Sequence, residues 1–180
     1  MTIDELWAQI DAWYAENAPE EKPLNDGASD DDIARVESIL GVQLPDEIKA
    51  SLRRHDGSDE DCWATGTLAS CEDMISDTEI WREIEAKHAD DAAFVSESPE
   101  LKEGWWRDGW VMIDRDGAGN GNAVDLDPSD QGSHGQLIDM DHEVGPSLSY
   151  ANYVEYLEDC LAELQKGRWD DGYYLHSDLI

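Results

Sequence analysis

Three aspartates bracket a run of small residues in the middle of the chain: Asp114-Arg-Asp116-Gly-Ala-Gly-Asn-Gly-Asn-Ala-Val-Asp125. Oxygen donors at loop positions one, three, nine and twelve, with glycine at six, are what an EF-hand offers a calcium ion. Here position five is Ala118, position twelve is a short aspartate in place of glutamate, and Asp125 lies in a strand-like run. A hairpin turn built from residues that tolerate positive φ explains the same letters without a metal, and we expect that turn. The glycines read Gly117-x-Gly119-x-Gly121, with no Gly-Lys-Ser/Thr after them, and the aspartates would repel a phosphate.

The remaining reactive residues form no recognisable constellation. His55, His88, His134, His142 and His176 are scattered, without the H-E-x-x-H spacing of a zinc helix. His134 and His142 flank one strand-like run, near Asp139 and Asp141, and read as surface histidines beside acids. Cys62, Cys71 and Cys160 include no C-x-x-C pair, which suits reduced thiols in a cytoplasmic protein. There is no G-x-S-x-G elbow, and among 44 acids no carboxylate pair stands out for glycoside cleavage. We therefore expect no enzyme, no cofactor and no metal.

Binding chemistry is better represented. Trp105-Trp106-Arg107-Asp108-Gly109-Trp110 concentrates the residue types that anchor protein interfaces. Period two puts Trp106 and Trp110 on one face and Trp105 on the other, so at least one ring should lie near the surface, although sealing the sheet–helix core is the favoured role for these rings. With the acids of the neighbouring loop, the candidate partner-binding residues are Trp105, Trp106, Arg107, Asp114, Asp116, Asp125 and Asp127.

The elements that position them follow from periodicity. Ile3, Leu6, Trp7, Ile10, Trp13 and Tyr14 recur at spacings of three and four, giving a helix over 3–18 that Pro19 ends. A turn-rich linker follows. Ser29 and Asp32 outline a capping box for a second helix with Ile33, Val36, Ile39 and Leu40 inward and Gly41 as its stop. Pro45 with Asp46 and Glu47 opens a third, burying Ile48 and Leu52. A weak strand at 63–68 precedes a helix from about Cys71 to His88, with Met74, Ile75, Ile80, Trp81 and Ile84 inward; 89–104 reads as irregular. Strand-like runs at Trp110–Ile113, Val124–Asp127 and Leu137–Met140 form an antiparallel meander. A last helix runs from Ser149 to Lys166, closed by Gly167. This order makes an α+β domain with helices packed around one face of an antiparallel sheet. We expect one domain over 1–180, with 1–23 an N-terminal helix plus linker and the aromatic 167–180 a packed tail.

The formal charge is −32, spread almost evenly. Residues 1–60 carry 16 acids and 5 bases, 61–120 carry 15 and 5, and 121–180 carry 13 and 2. Such a surface excludes nucleic acid and anionic membranes as partners, since both are met by Lys and Arg. It suits solubility or high salt and attracts cationic partners from a distance. No apolar run approaches the roughly 18 residues of a membrane span, and the first residues lack the pattern of a secretory signal.

Two stretches, taken in order, carry a family likeness. The first is Leu44-Pro45-Asp46-Glu47-Ile48 through Leu52 to His55-Asp56-Gly57; the second is Trp105-Trp106, Trp110 to Asp114, the Gly117–Gly121 turn and Ala123 to Asp127. With Gly135-Gln136-Leu137-Ile138 and the Ser149-Tyr150 pair, the set resembles the SUKH superfamily over roughly residues 24–166. That superfamily contains the Smi/Knr-type regulators of cell-wall synthesis and many bacterial toxin-immunity proteins. The resemblance implies a SUKH-like fold and a non-catalytic protein-binding module. We expect first an immunity protein that occludes a cationic toxin domain such as a nuclease, and as the alternative a Smi/Knr-like regulator or scaffold in cell-wall assembly or signalling. Either would act as a monomer or weak homodimer.

Overall fold

The computed structural model describes residues 1–88 and 98–177. Helix α1, Ile3–Asn17, starts from a capping box in which Thr2 and Glu5 satisfy each other's backbone N–H groups. Its stripe Ile3, Leu6, Trp7, Ile10 and Tyr14 is buried. Helix α2, Asp30–Leu40, has the expected Ser29–Asp32 box and ends at Gly41, whose φ of 70° suits a left-handed cap. Ile33, Val36 and Leu40 are buried, but Ile39 is 43% exposed. Six residues beyond Ile33 it lies roughly 120° around the helix, outside the stripe.

Helix α3, Asp46–Arg54, has Asp46 and Glu47 in its first turn and Arg53 and Arg54 in its last, both favoured by the helix dipole. Ser51 ties three helices together: its hydroxyl accepts from Trp7 Nε1 at 3.0 Å and pairs with the Tyr153 hydroxyl at 2.8 Å. Helix α4, Cys71–His88, buries Met74, Ile75 and Trp81. Ile80 is 55% exposed, for the same angular reason as Ile39. Of the expected irregular stretch 89–104, residues 89–97 lie outside the described ones, and 98–104 form turns and bends.

Among the described residues, eight short strands follow the helical half or punctuate it. Strand β1, Thr67–Leu68, pairs antiparallel with β3, Asp114–Arg115. The main sheet has the order β2 (Trp110–Met112), β4 (Gly121–Asp125), β5 (Gln136–Asp141), β6 (Gly145–Tyr150), all antiparallel. The expected meander has thus gained a fourth strand. Gly145-Pro146-Ser147-Leu148 lacks alternation, and Pro146 is tolerated because β6 is an edge. Helix α5, Tyr153–Lys166, consequently begins at Tyr153, capped by Asn152, and not at Ser149. A hairpin of β7, Arg168–Asp170, and β8, Tyr173–Leu175, follows it; residues 178–180 are outside the described ones.

Alternation along the strands sends side chains to two cores. Val111, Ile113, Val124 and Leu137 join the large core made with α1, α3 and α5. Trp110, Met112, Ala123, Ile138 and Met140 point the other way, into a smaller core closed by Trp81, Leu101 and Trp106. Helices α1, α3 and α5 thus cover one face as expected, while the opposite face is sealed by Trp81 of α4 together with Trp106 and Leu101.

Candidate partner-binding surface

Beyond the end of β2 at Met112 the chain enters β3, where the Asp114 carboxylate is completely buried. Four groups donate to it: the Thr65 hydroxyl at 2.6 Å, the Tyr156 hydroxyl at 2.7 Å, and the Asn122 backbone N–H and side-chain amide, the latter at 3.0 Å. The Tyr156 hydroxyl in turn accepts from Trp63 Nε1 at 2.8 Å. Burial raises the Asp114 pKa, and these donors offset the rise only in part. The residue therefore pins α5, the 63–65 loop and the β3–β4 hairpin together, and is not available to a partner.

Two more of the residues singled out from sequence lie inside. Asp125 is fully buried, accepting from the Asp127 backbone N–H at 2.9 Å and from Gln136 Nε2 at 2.9 Å. It braces β4 against β5. Trp106 is 2% exposed, stacked on Trp81 with centroids 5.6 Å apart and edge-on to Trp110 at 5.7 Å. An apolar ring beside a bare sheet face gains more by closing it than by meeting water, so the core-sealing role prevails.

Trp105, Arg107, Asp116 and Asp127 keep access to solvent. Lys102 pairs closely with Asp127, and Arg107 lies 3.7 Å from its other oxygen. Hydrogen bonding to Lys102 holds the Asp127 carboxyl below the usual range. In an acidic protein this patch is locally neutralised. Asp116 folds its carboxylate back onto its own turn, accepting from Ala118 N–H at 2.7 Å, Asn120 N–H at 3.0 Å and Asn120 Nδ2 at 2.7 Å. The carboxylates of the calcium-like loop are thus taken up by protein donors, Asp116 by its own turn and Asp114 and Asp125 largely by residues outside it. No three His, Cys, Asp or Glu side chains converge to hold a metal among the described residues.

Two of the histidines are also occupied. His55 sits between Asp11, at 2.8 Å, and the Asn25 carbonyl, at 2.7 Å, with its ring against Trp7. His142 Nδ1 lies 2.7 Å from Asn120 Oδ1. All three cysteines are buried and unpaired, and burial pushes the Cys62 thiol up to about 11 and Cys71 and Cys160 higher still. Thiols held in the neutral form are poor nucleophiles.

One concavity went unseen in the sequence. An open cleft of about 740 Å³ lies between the 61–66 loop, the Asp116 turn and the C-terminal hairpin. Its walls include Asp61, Trp63, Asp116, Glu163 and Tyr173. The hairpin is fastened by a Tyr174 N–H bond to the Asp61 carbonyl at 3.1 Å, a Tyr174 hydroxyl bond to the Glu163 carbonyl at 2.5 Å and a Trp169 Nε1 bond to Glu21 at 3.0 Å. The aromatic tail was the only signal in the sequence, and it did not say which loop the tail would meet.

Comparison with known proteins now adds a family. The model of the SMI1 / KNR4 family (SUKH-1) matches residues 27–159. The chain is 26% identical to the glucan synthesis regulatory protein of Neurospora crassa, covering 91% of this chain and 38% of that protein. It is 29% identical to the cell wall biosynthesis/cell cycle regulator smi1 of Schizosaccharomyces pombe, over 93% and 37% of the two chains. With the cell wall assembly regulator SMI1 of Saccharomyces cerevisiae it shares 24% identity, over 91% and 40%. The chain spans about two fifths of the length of these relatives. A match over residues 27–159, with the α+β order and the antiparallel sheet just described, places this chain in the SMI1/KNR4 (SUKH-1) family.

Proposed function

We propose that this protein is a non-catalytic protein-binding module of the cell-wall-regulator kind. The observation that carries the reading is the relatives themselves: over nine tenths of the chain aligns with fungal proteins named as regulators of glucan synthesis or cell-wall assembly. The chain corresponds to one segment of those longer proteins, and the shared part of a regulator is where a shared contact would reside. The interior fits this role. Its polar groups are spent on bracing, as at Asp114 and Asp125, and the accessible chemistry consists of acids and aromatic rings.

The immunity reading has one observation of its own, the charge of −32, which would speed encounter with a cationic toxin domain. The relatives' names do not extend to it, so it ranks second. Both readings place the protein in a reducing compartment, consistent with three unpaired buried cysteines. No helix among the described residues is long and apolar enough to cross a membrane.

Affinity capture from the protein's own cells, at low and at moderate salt with mass spectrometry of the captured proteins, separates the two. Cell-wall or signalling proteins support the regulator reading. One basic toxin-like protein, lost as salt rises, would replace it with the immunity reading, and no partner at either salt would count against both.

A further inference from the structure

We propose that the cleft between the 61–66 loop and the C-terminal hairpin binds a basic, arginine- or lysine-bearing segment of a protein partner. The proposal deepens the binding-module reading above and rests on it. Three features of the cleft argue for this occupant. Its volume of about 740 Å³ is of the size that takes up ligands, with room for more than one side chain. Its lining residues include three acids, Asp61, Asp116 and Glu163, and neither lysine nor arginine. Its walls are aromatic: Trp63 and Tyr174 form the buried floor, while Tyr173 leaves 55% of its surface exposed.

Charge and rings together select the ligand. An acidic rim alone would attract any cation diffusely, and an apolar cleft alone would take any apolar group. A guanidinium or ammonium on an alkyl stem satisfies both, laying its stem on the aromatic wall and its charge against the carboxylates. Arginine suits best, because its planar fork can stack on Tyr173 and bond a carboxylate at once. The contrast with the Trp105 patch is instructive. There Lys102 and Arg107 already neutralise Asp127; in the cleft Lys166 pairs with Glu163 at 2.5 Å and Asp116 bonds its own turn, whereas Asp61 lines it with its side chain exposed. Asp61 also adopts a left-handed backbone, φ 56°, which places it at the corner where the loop meets β8.

The test is fluorescence anisotropy of the full chain with a labelled nonapeptide of alternating Gly, Leu and Arg, and with its Arg→Gln and Arg→Glu counterparts. The cleft variant combines Asp61→Asn, Glu163→Gln and Tyr173→Ala. Asparagine tolerates the left-handed backbone at position 61, and the exposed Tyr173 ring is dispensable for packing. The charge-matched control combines Glu79→Gln and Asp130→Asn, both exposed and outside the lining of the cleft. At about 0.15 M salt the arginine peptide should bind wild type and the control alike. The cleft variant should lose about tenfold in affinity, as expected for removing three modest contacts. Titration followed by backbone amide shifts should move residues 61–66 and 173–176 first, a reading that holds even if the triple variant folds poorly. Equal losses in variant and control, shifts centred elsewhere, or no binding of the arginine peptide would each overturn the site. Capture of a cellular partner undiminished by the cleft variant would overturn the site while leaving the binding-module reading standing.

Discussion

Tyr156 and Asp114 stand 42 residues apart in sequence and meet through a 2.7 Å hydrogen bond at full burial. The phenol is shared, because the same oxygen accepts the Trp63 indole N–H at 2.8 Å. One hydroxyl thus links α5, the 63–65 loop and the start of the β3–β4 hairpin, the supports of the cleft that lies above them. A buried carboxylate is tolerable only while its donors remain in place.

Replacing Tyr156 with Phe removes one donor to Asp114 and leaves the Trp63 N–H unpaired. The expected cost is about 1–3 kcal/mol, with a melting temperature lower by roughly 2–4 °C per kcal/mol for a chain of this size. Asp114→Asn should cost more, since its amide N–H would oppose the donors that now converge there. Thermal denaturation of the two variants reads both effects. A Tyr156→Phe protein as stable as the parent would show that the network only decorates the core.

Acid should stabilise this protein before it unfolds it. Burial raises the pKa of Asp77, Asp114 and Asp125 above the free value. The native state then binds those protons more tightly than the unfolded chain, so stability grows as pH falls through the folded pKa values. That gain is complete below the unfolded value near about 4. Asp73 and Asp116 behave oppositely: burial raises them, but hydrogen bonds from Ser70 and Arg115, and from Asn120 and Ala118, bring the net below the usual value. Their contribution is present above about 4 and is lost as pH falls through their folded pKa values. Protonation also eases the repulsion of a chain with net charge −32. Melting temperature should therefore rise from about pH 7.5 to about pH 5 and fall below about pH 4. A steady decline across the whole range would refute this balance.

What was legible in the sequence was whatever rests on short-range chemistry. The Ser29–Asp32 box, the Gly41 stop and the span of α4 follow from caps and periods that act within a few residues. Strand β6 escaped notice because an edge strand needs neither alternation nor a full set of hydrogen bonds, and its Pro146 argued against it. Ile39 and Ile80 are apolar and close to the buried stripes in sequence, yet the angle around the helix turns both toward solvent. The candidate site suffered from a different limit. Asp114, Asp116, Asp125 and Asp127 look alike in sequence; which is buried depends on donors supplied from distant residues such as Thr65, Tyr156 and Gln136. The cleft depends on where the tail docks, a contact between Asp61 and Tyr174 that no local pattern encodes.

The two adjacent tryptophans should respond to mutation very differently. Trp106 is buried against Trp81 and Trp110, so Trp106→Ala leaves a large cavity on the second face of the sheet. Its expected cost is about 3–5 kcal/mol. Trp105 is half-buried at the margin of that cluster, and its replacement should cost roughly 1 kcal/mol. Urea titration of both variants checks the ordering. Similar midpoints would mean that the Trp81–Trp106 stack adds little to the small core.

The C-terminal hairpin should be releasable without unfolding the rest, and Gly167 is the place to do it. A β-carbon at this position would run into the Leu175 carbonyl oxygen and the Tyr174 ring. Backbone on one side and a ring fixed by Trp13 and His176 on the other leave little room to yield. Gly167→Ala should therefore push β8 away from α5, breaking the Tyr174 bonds to the Glu163 and Asp61 carbonyls and loosening the Trp169 bond to Glu21. The main sheet and the Asp114 network do not pass through these contacts, so the change should stay local. Hydrogen exchange should quicken at residues 168–175 while the amides of β4 and β5 keep their protection. Since Tyr173, Tyr174 and Leu175 form one wall of the cleft, the same variant should lose the arginine peptide while keeping its fold. Unchanged exchange at Tyr174 would mean that the hairpin accommodates the methyl group. Quickened exchange with undiminished peptide binding would move the peptide away from this wall.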